Sequence, residues 1–300
     1  CQVEMGKLKI GYVPEHFSSP LLQLANADDS FELISQPSGT GQMTTSLKDG
    51  TIDVAIALTE SLIAGIAKGA THYNLVGLYV NTPLTWAAIT GKESRYQSIE
   101  DLRGSKIGIS RIGSGSQVMA SVMALQNGWF KDGESKELEE LDFQVNDNFK
   151  NLRDSVNKGD TAVFIWEWFT TKPYRDSGEV RFIGSVVTPW PSWMVAAKPD
   201  VDASALTTFL DKLSGSAREF NSTNARSGSS MDFVAKTFRL DRTDVQSWLA
   251  TVGYPEDIRE VKGEMIMTVL DVLKKAGVVK SPEGGWKVDQ FVRGDVAKIV

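Results

Sequence analysis

Ser105-Lys106-Ile107-Gly108-Ile109-Ser110-Arg111-Ile112-Gly113-Ser114-Gly115-Ser116 reads as a short apolar strand, a glycine-bearing turn and a helix start, with the helix continuing around Val118 to Leu125. The same outline opens the chain. Lys7-Leu8-Lys9-Ile10-Gly11-Tyr12-Val13 is a strand, Pro14-Glu15-His16-Phe17 a turn, and Ser18-Ser19-Pro20 a helix start. A hydroxyl caps free backbone N–H groups, and proline suits the first helical turn. A second pair repeats further on. Leu47 to Ile56 is a helix end, a turn and a buried strand, and Val156 to Ile165 has the same layout, with Gly159 matching Gly50 and Val163 matching Val54. Short apolar strands alternating with amphipathic helices predict parallel sheets made of βαβ units. Two such sets predict two look-alike lobes.

Between the sets, Asn74 to Val80 and Leu84 to Ile89 read as strands broken at Thr82-Pro83. Val180 to Val187, then Thr188-Pro189-Trp190-Pro191-Ser192, then Trp193 to Ala197 has the same outline. These are expected to be two hinge crossings, 83–97 and 185–189. The first lobe is expected over 5–82 and 190–300, including the C-terminal helices, and the second over 98–184. The fold class is α/β, two-lobed, with a hinge and a central cleft.

Three hundred residues suffice for two such cores, and 41% apolar with 23% charged residues is an ordinary globular balance. The net charge of −6 is interspersed in sign, so no basic face for nucleic acid is visible. No apolar stretch approaches the roughly 18–20 residues of a membrane span. Cys1 is the only cysteine, which excludes intrachain disulfides and cysteine-based metal sites, and His16 and His72 are the only histidines. Cys1 has two readings. It is the lipid-modified first residue of a processed exported protein, periplasmic or lipid-anchored, or it precedes a true start at Met5. The strand begins almost at once, at Leu8, leaving little tether, and this favours Met5 and a cytoplasmic protein.

The strand Ile10-Gly11-Tyr12, the segment Gly50-x-x-Asp53-Val54-Ala55, and above all Ser98-x-x-Asp101-Leu102-Arg103-Gly104-Ser105-Lys106-Ile107-Gly108 resemble the type II periplasmic-binding-protein fold. The branch is that of sulfonate, nitrate, taurine and thiamine-precursor binding proteins. The similarity runs from about Lys7 to Lys198, and extends to a group of fungal and bacterial proteins of this fold that lack an export signal. It implies a ligand loop at Arg111 to Ser116. Thiamine-pyrimidine synthases share the fold, but their cysteine-rich motif is missing here. Glu60 and Glu167, expected at the pocket edge, would repel a bare anion.

Open parallel sheets bind ligands at the carboxyl ends of their strands, where helix starts offer N–H groups and a positive dipole end. Three turns qualify: His16 to Ser19, including Ser18; Ser38-Gly39-Thr40-Gly41-Gln42; and Gly113-Ser114-Gly115-Ser116. Neither glycine turn completes a phosphate loop or a dinucleotide fingerprint. Thr59 and Glu60 follow one strand, and Trp166 and Glu167 follow its echo, so both pairs are expected to face the cleft. Trp166 would stack on a planar or cationic ligand. Alternatively Trp166, Trp168 and Phe169 are core and Glu167 a first-turn acid. His16 is a candidate hydrogen-bonding or pH-sensitive contact, whereas His72 reads as surface. Thr82, Trp190 and Trp193 are candidate cleft walls at the crossings, and Arg111 either forks onto an anion or lies exposed.

The expected function is binding of a small polar or anionic ligand, heteroaromatic ones included, by lobe closure, without catalysis and without cofactor or metal. Alternatives are an intracellular sensor or adaptor, or a synthase-like enzyme using Glu60, Glu167 and His16. The expected partners are the ligand and, if the chain is exported, a membrane transporter. A monomer is expected.

Overall fold

The chain folds on two five-stranded sheets of the same plan. The computed structural model describes residues 6–132 and 136–300. Cys1 and Met5, on which the compartment expectation turns, lie outside them. In chain order, β1 (Leu8–Tyr12), β2 (Phe31–Ser35), β3 (Val54–Leu58) and β4 (Asn74–Val80) build the first sheet. The chain then crosses to the second sheet with β5 (Thr85–Gly91), β6 (Lys106–Ile109), β7 (Asp142–Val145), β8 (Val163–Glu167) and β9 (Val180–Val187). It returns with β10 (Trp193–Ala197). The orders are β2-β1-β3-β10-β4 and β7-β6-β8-β5-β9.

In each sheet three parallel strands come first, followed by one antiparallel strand delivered from the other lobe. The sequence echo therefore maps β1 onto β6 and β3 onto β8. Strands β3 and β10 are buried at every residue, as expected of strands covered on both faces.

Helices α1 (Ser19–Ala27), α2 (Thr40–Asp49), α3 (Thr59–Ala67), α4 (Gly115–Gln126), α5 (Phe149–Lys158) and α6 (Trp168–Asp176) follow their strands. Both α2 and α5 end on a left-handed glycine, Gly50 at φ 78° and Gly159 at φ 79°. A side chain there would be strained, which is why the two turns share a glycine. After β10 come α7 (Ala203–Asn221), α8 (Thr223–Ser227), α9 (Ser229–Phe238), α10 (Arg242–Leu249) and α11 (Gly263–Lys275). Helix α7 packs on α1, and α11 packs on α3 and, less extensively, on α4. No helix among the described residues is long and apolar enough to cross a membrane.

The crossings are narrower than the sequence suggested. Strand β5 falls inside the expected 83–97 crossing, yet it pairs with both β8 and β9, so the second sheet begins at Thr85 and runs to Val187. What remains is two short segments held side by side. Thr188 N–H donates to the Leu84 carbonyl, Leu84 N–H to Thr188 Oγ1, and Ser192 N–H to the Thr82 carbonyl. The strand alternation of β5 divides its side chains. Ala87 and Ile89 join a core private to the second lobe, while Trp86 and Ala88 face the main core and the cleft.

Candidate functional site: a donor-lined cleft between the lobes

The carboxyl ends of the parallel strands β1, β3, β6 and β8 meet the starts of the antiparallel strands β5 and β10 around one pocket. It encloses about 440 Å³ of atom-free space, counting its mouth. Apolar walls come from Val13 and Leu58 of the first lobe, Leu84 at the crossing, and three tryptophans, Trp86, Trp166 and Trp193. Polar groups gather at two helix starts, Ser38 to Thr40 before α2 and Ser114 to Ser116 before α4. Among the described residues no lysine, arginine or histidine lines it.

The second-lobe helix start is a built hydroxyl cluster. Ser114 caps α4 by accepting from Gln117 N–H, its Oγ lies 2.9 Å from Ser116 Oγ, and Ser116 Oγ accepts from Ser110 N–H. Gly115 sits where the two lobes approach closely. A Cβ there would stand 2.3 Å from Leu58 Cδ1 and 3.0 Å from the Trp86 ring. On the first lobe, Thr40 Oγ1 accepts from Leu58 N–H at 3.1 Å, and Gln42 Oε1 accepts from Ser38 N–H at 2.9 Å, so these side chains hold the loop in shape.

Among the described residues three indole N–H groups are buried without a protein partner, and two of them, those of Trp86 and Trp193, belong to residues that line the pocket. A buried unpaired donor costs about 1–3 kcal/mol unless something accepts from it. Trp86 stands on β5 and Trp193 on β10, so the two orphan donors come one from each lobe.

Two carboxyl groups, Glu15 and Glu167, line the pocket, and a third, Glu60, lies behind it. Burial, reinforced by the neighbouring Glu167 carboxylate, pushes Glu15 up to about 7 against the opposing influence of His16 and of Trp166, whose Nε1 donates to Glu15 Oε1 at 3.4 Å. Glu167 lines the pocket, and its Oε2 accepts from Thr170 N–H at 2.7 Å, capping α6, and lies 3.6 Å from His16 Nε2. Glu60 is not at the edge at all. It is fully buried, Trp190 Nε1 donates to its Oε2 at 2.9 Å, and burial pushes its carboxyl up to about 7. The expected electrostatic objection to an anion therefore falls away for Glu60 and stays with Glu167, which lines the pocket. Among the described residues no group of three or more histidine, cysteine or acidic side chains is placed to hold a metal ion.

Residues 86–186 match the family model described as Ca3427-like PBP. Over 96% of both chains, the structure superposes at a TM-score of 0.85 and 33% identity on the Candida albicans CA3427 gene product, which defines a family with the generic periplasmic-binding-protein fold. The chain belongs to the CA3427 family. Sulfonate-binding proteins share the fold at lower identity. The alkanesulfonate-binding protein SsuA of Xanthomonas axonopodis pv. citri, bound to MOPS, matches at TM-score 0.71 and 14% identity over 99% of this chain and 100% of that one. The periplasmic aliphatic sulphonate binding protein SsuA of Escherichia coli matches at 0.63 and 16%, over 98% and 99%. No curated protein matches the chain by sequence.

In this CA3427-family member, Ser38, Gly39, Thr40, Ser114, Gly115, Ser116, Trp166, Glu167 and Trp193 stand together at the pocket. The remaining candidates sit behind or beside it. His16 is buried among Phe17, Phe169, Phe238 and Trp248. Ser18 Oγ donates to the Val13 carbonyl, so the first turn is closed on itself and presents Val13 and Glu15 instead. Thr59 Oγ1 donates to the Pro191 carbonyl, Trp190 covers Glu60, and Thr82 Oγ1 accepts from Gly253 N–H; these three brace the crossings. Gly41 lies beneath the Arg111 stem of the opposite lobe, Gln42 caps the Ser38 loop, and Gly113 N–H donates to Gln117.

Sequence reasoning missed Val13, Glu15, Leu58, Leu84, Trp86 and Ser110. A usable signal existed for Trp86, at the start of a strand that leads out of a crossing.

Proposed function

We propose that the protein binds, without transforming it, a small molecule with an anionic or acceptor-rich head and an apolar or planar body, held between its two lobes. The observation that carries this is the pair of unpartnered indole donors, Trp86 and Trp193, one from each side of the pocket. With the hydroxyls and N–H groups at the start of α4, they surround a space without cations. Such a site neutralises a head group with dipoles and hydrogen bonds, which suits a sulfonate or carboxylate. The tryptophan and leucine walls supply the surface for a body. The fold shared with sulfonate binders supports the same class of head group.

Thermal unfolding against a panel of aliphatic and aromatic sulfonates, carboxylates and amines tests this. At least one anion with an apolar body is expected to raise the melting temperature, by about 2.7 kcal/mol of added stability at 100 times its Kd, and to be recovered unchanged. Stabilisation by amines alone, or chemical conversion of the bound molecule, would refute the reading.

A further inference from the structure

A second hollow lies apart from the cleft, with about 690 Å³ of atom-free space counting its mouth. Lys48 and Thr44 of α2 form one side, and Ser61 of α3 with Lys68 and His72 the other. The second lobe closes it with Ile112 and Val118. No carboxylate lines it, and neither lysine has an acidic partner among the described residues.

Each lysine alone has a bland explanation. Lys48 is in the last turn of α2 and Lys68 caps α3, and cations suit helix C-termini. That account does not reach the groups between them. Ser61 is only 4% exposed and its Oγ has no partner, and His72 Nε2 is likewise buried and unpartnered. A negatively charged acceptor would satisfy both in a hollow flanked by two unpaired ammonium groups: it accepts from the Ser61 hydroxyl, and by favouring the protonated ring it makes His72 Nε2 a donor. The local charge works the same way. Burial, with a smaller push from Lys48, holds His72 below the usual imidazole range against the opposing hydrogen bond to the Thr44 backbone, and burial lowers Lys68. Helix α4, on the facing side, carries no charged residue, and the nearest acid on α3, Glu60, is turned toward Trp190.

We propose that this hollow is a second binding site, for a phosphate-class oxyanion, either free or as the terminal group of a phosphorylated metabolite. Two point-charge ammonium groups suit a doubly charged group, and Ser61 and His72 supply the directed hydrogen bonds. An occupant would touch residues of both lobes.

The two histidines make the test direct, because the proton spectrum holds only two imidazoles and His72→Gln assigns them. Inorganic pyrophosphate is expected to shift the His72 resonance saturably and to raise its titration midpoint, leaving His16 unmoved. The response should weaken as salt is raised. Lys48→Gln with Lys68→Gln is expected to weaken binding about tenfold or more, while Ser116→Ala, in the cleft, leaves it intact. Glucose 6-phosphate in parallel distinguishes the source: tighter binding than pyrophosphate marks a phosphorylated metabolite, weaker binding the free anion. A His72 signal indifferent to both, a response surviving the paired lysine change, or one abolished by Ser116→Ala would overturn the proposal.

Discussion

Gly115→Val is expected to weaken ligand binding roughly 10- to 100-fold while leaving the fold intact, an overpacking cost of about 1–3 kcal/mol. The reason is geometric. A Cβ at Gly115 meets Leu58 Cδ1 at 2.3 Å and the Trp86 ring at 3.0 Å. Leu58 belongs to the opposite lobe and its terminal carbon can swing, so Gly115→Ala is expected to cost less than valine. Gly115 opens α4 with an ordinary backbone conformation, so neither substitution strains the helix itself. Calorimetric titration beside circular dichroism separates the outcomes. Unchanged affinity in the valine variant would mean that the lobes need not approach this closely around the ligand.

Affinity is also expected to rise as pH falls from 7 toward 5. Glu15 is raised to about 7 where the lobes meet, first by burial and then by Glu167. Separating the lobes would expose it and return it to its ordinary value near 4.5. Between those two values the closed form holds a proton that the open form has released. Closure therefore takes up a proton, and binding weakens by up to about tenfold per pH unit across that window. Below about 4.5 both forms are protonated and above about 7 both are ionised, so the dependence levels off at each end. The charged neighbours are His16, which opposes the shift, and Glu167, which adds to it. Titrations from pH 5 to 8 check this, with Glu15→Gln expected to flatten the slope. An equal slope in the glutamine variant would assign the proton elsewhere.

The repeated plan was readable because local chemistry enforces it. Gly50 and Gly159 both need a left-handed backbone after a helix, and a buried strand follows each, so the echo in the sequence is an echo in the sheets. The loops at Ser38 to Thr40 and Ser114 to Ser116 were readable for the same reason, as helix starts at strand ends. What escaped depends on partners far along the chain. Strand β5 looks like part of a crossing until β9, more than 90 residues later, pairs with it. His16 drew attention as the residue that ordinarily titrates near neutrality, yet the group raised into that range at the pocket is Glu15, by burial beside Trp166 and Glu167. Glu60 looked like its echo Glu167, but Trp190 from the other crossing covers it.

The claim that both lobes grip one ligand is tested most directly by titrating Trp86→Phe and Trp193→Phe with the anion that stabilises the wild type most. Each substitution keeps an aromatic wall and removes one orphan N–H, one from each lobe. Both variants are expected to bind about tenfold or more weakly, the loss of one charge-assisted hydrogen bond. Full affinity in either variant, with the loss confined to the other, would contradict it.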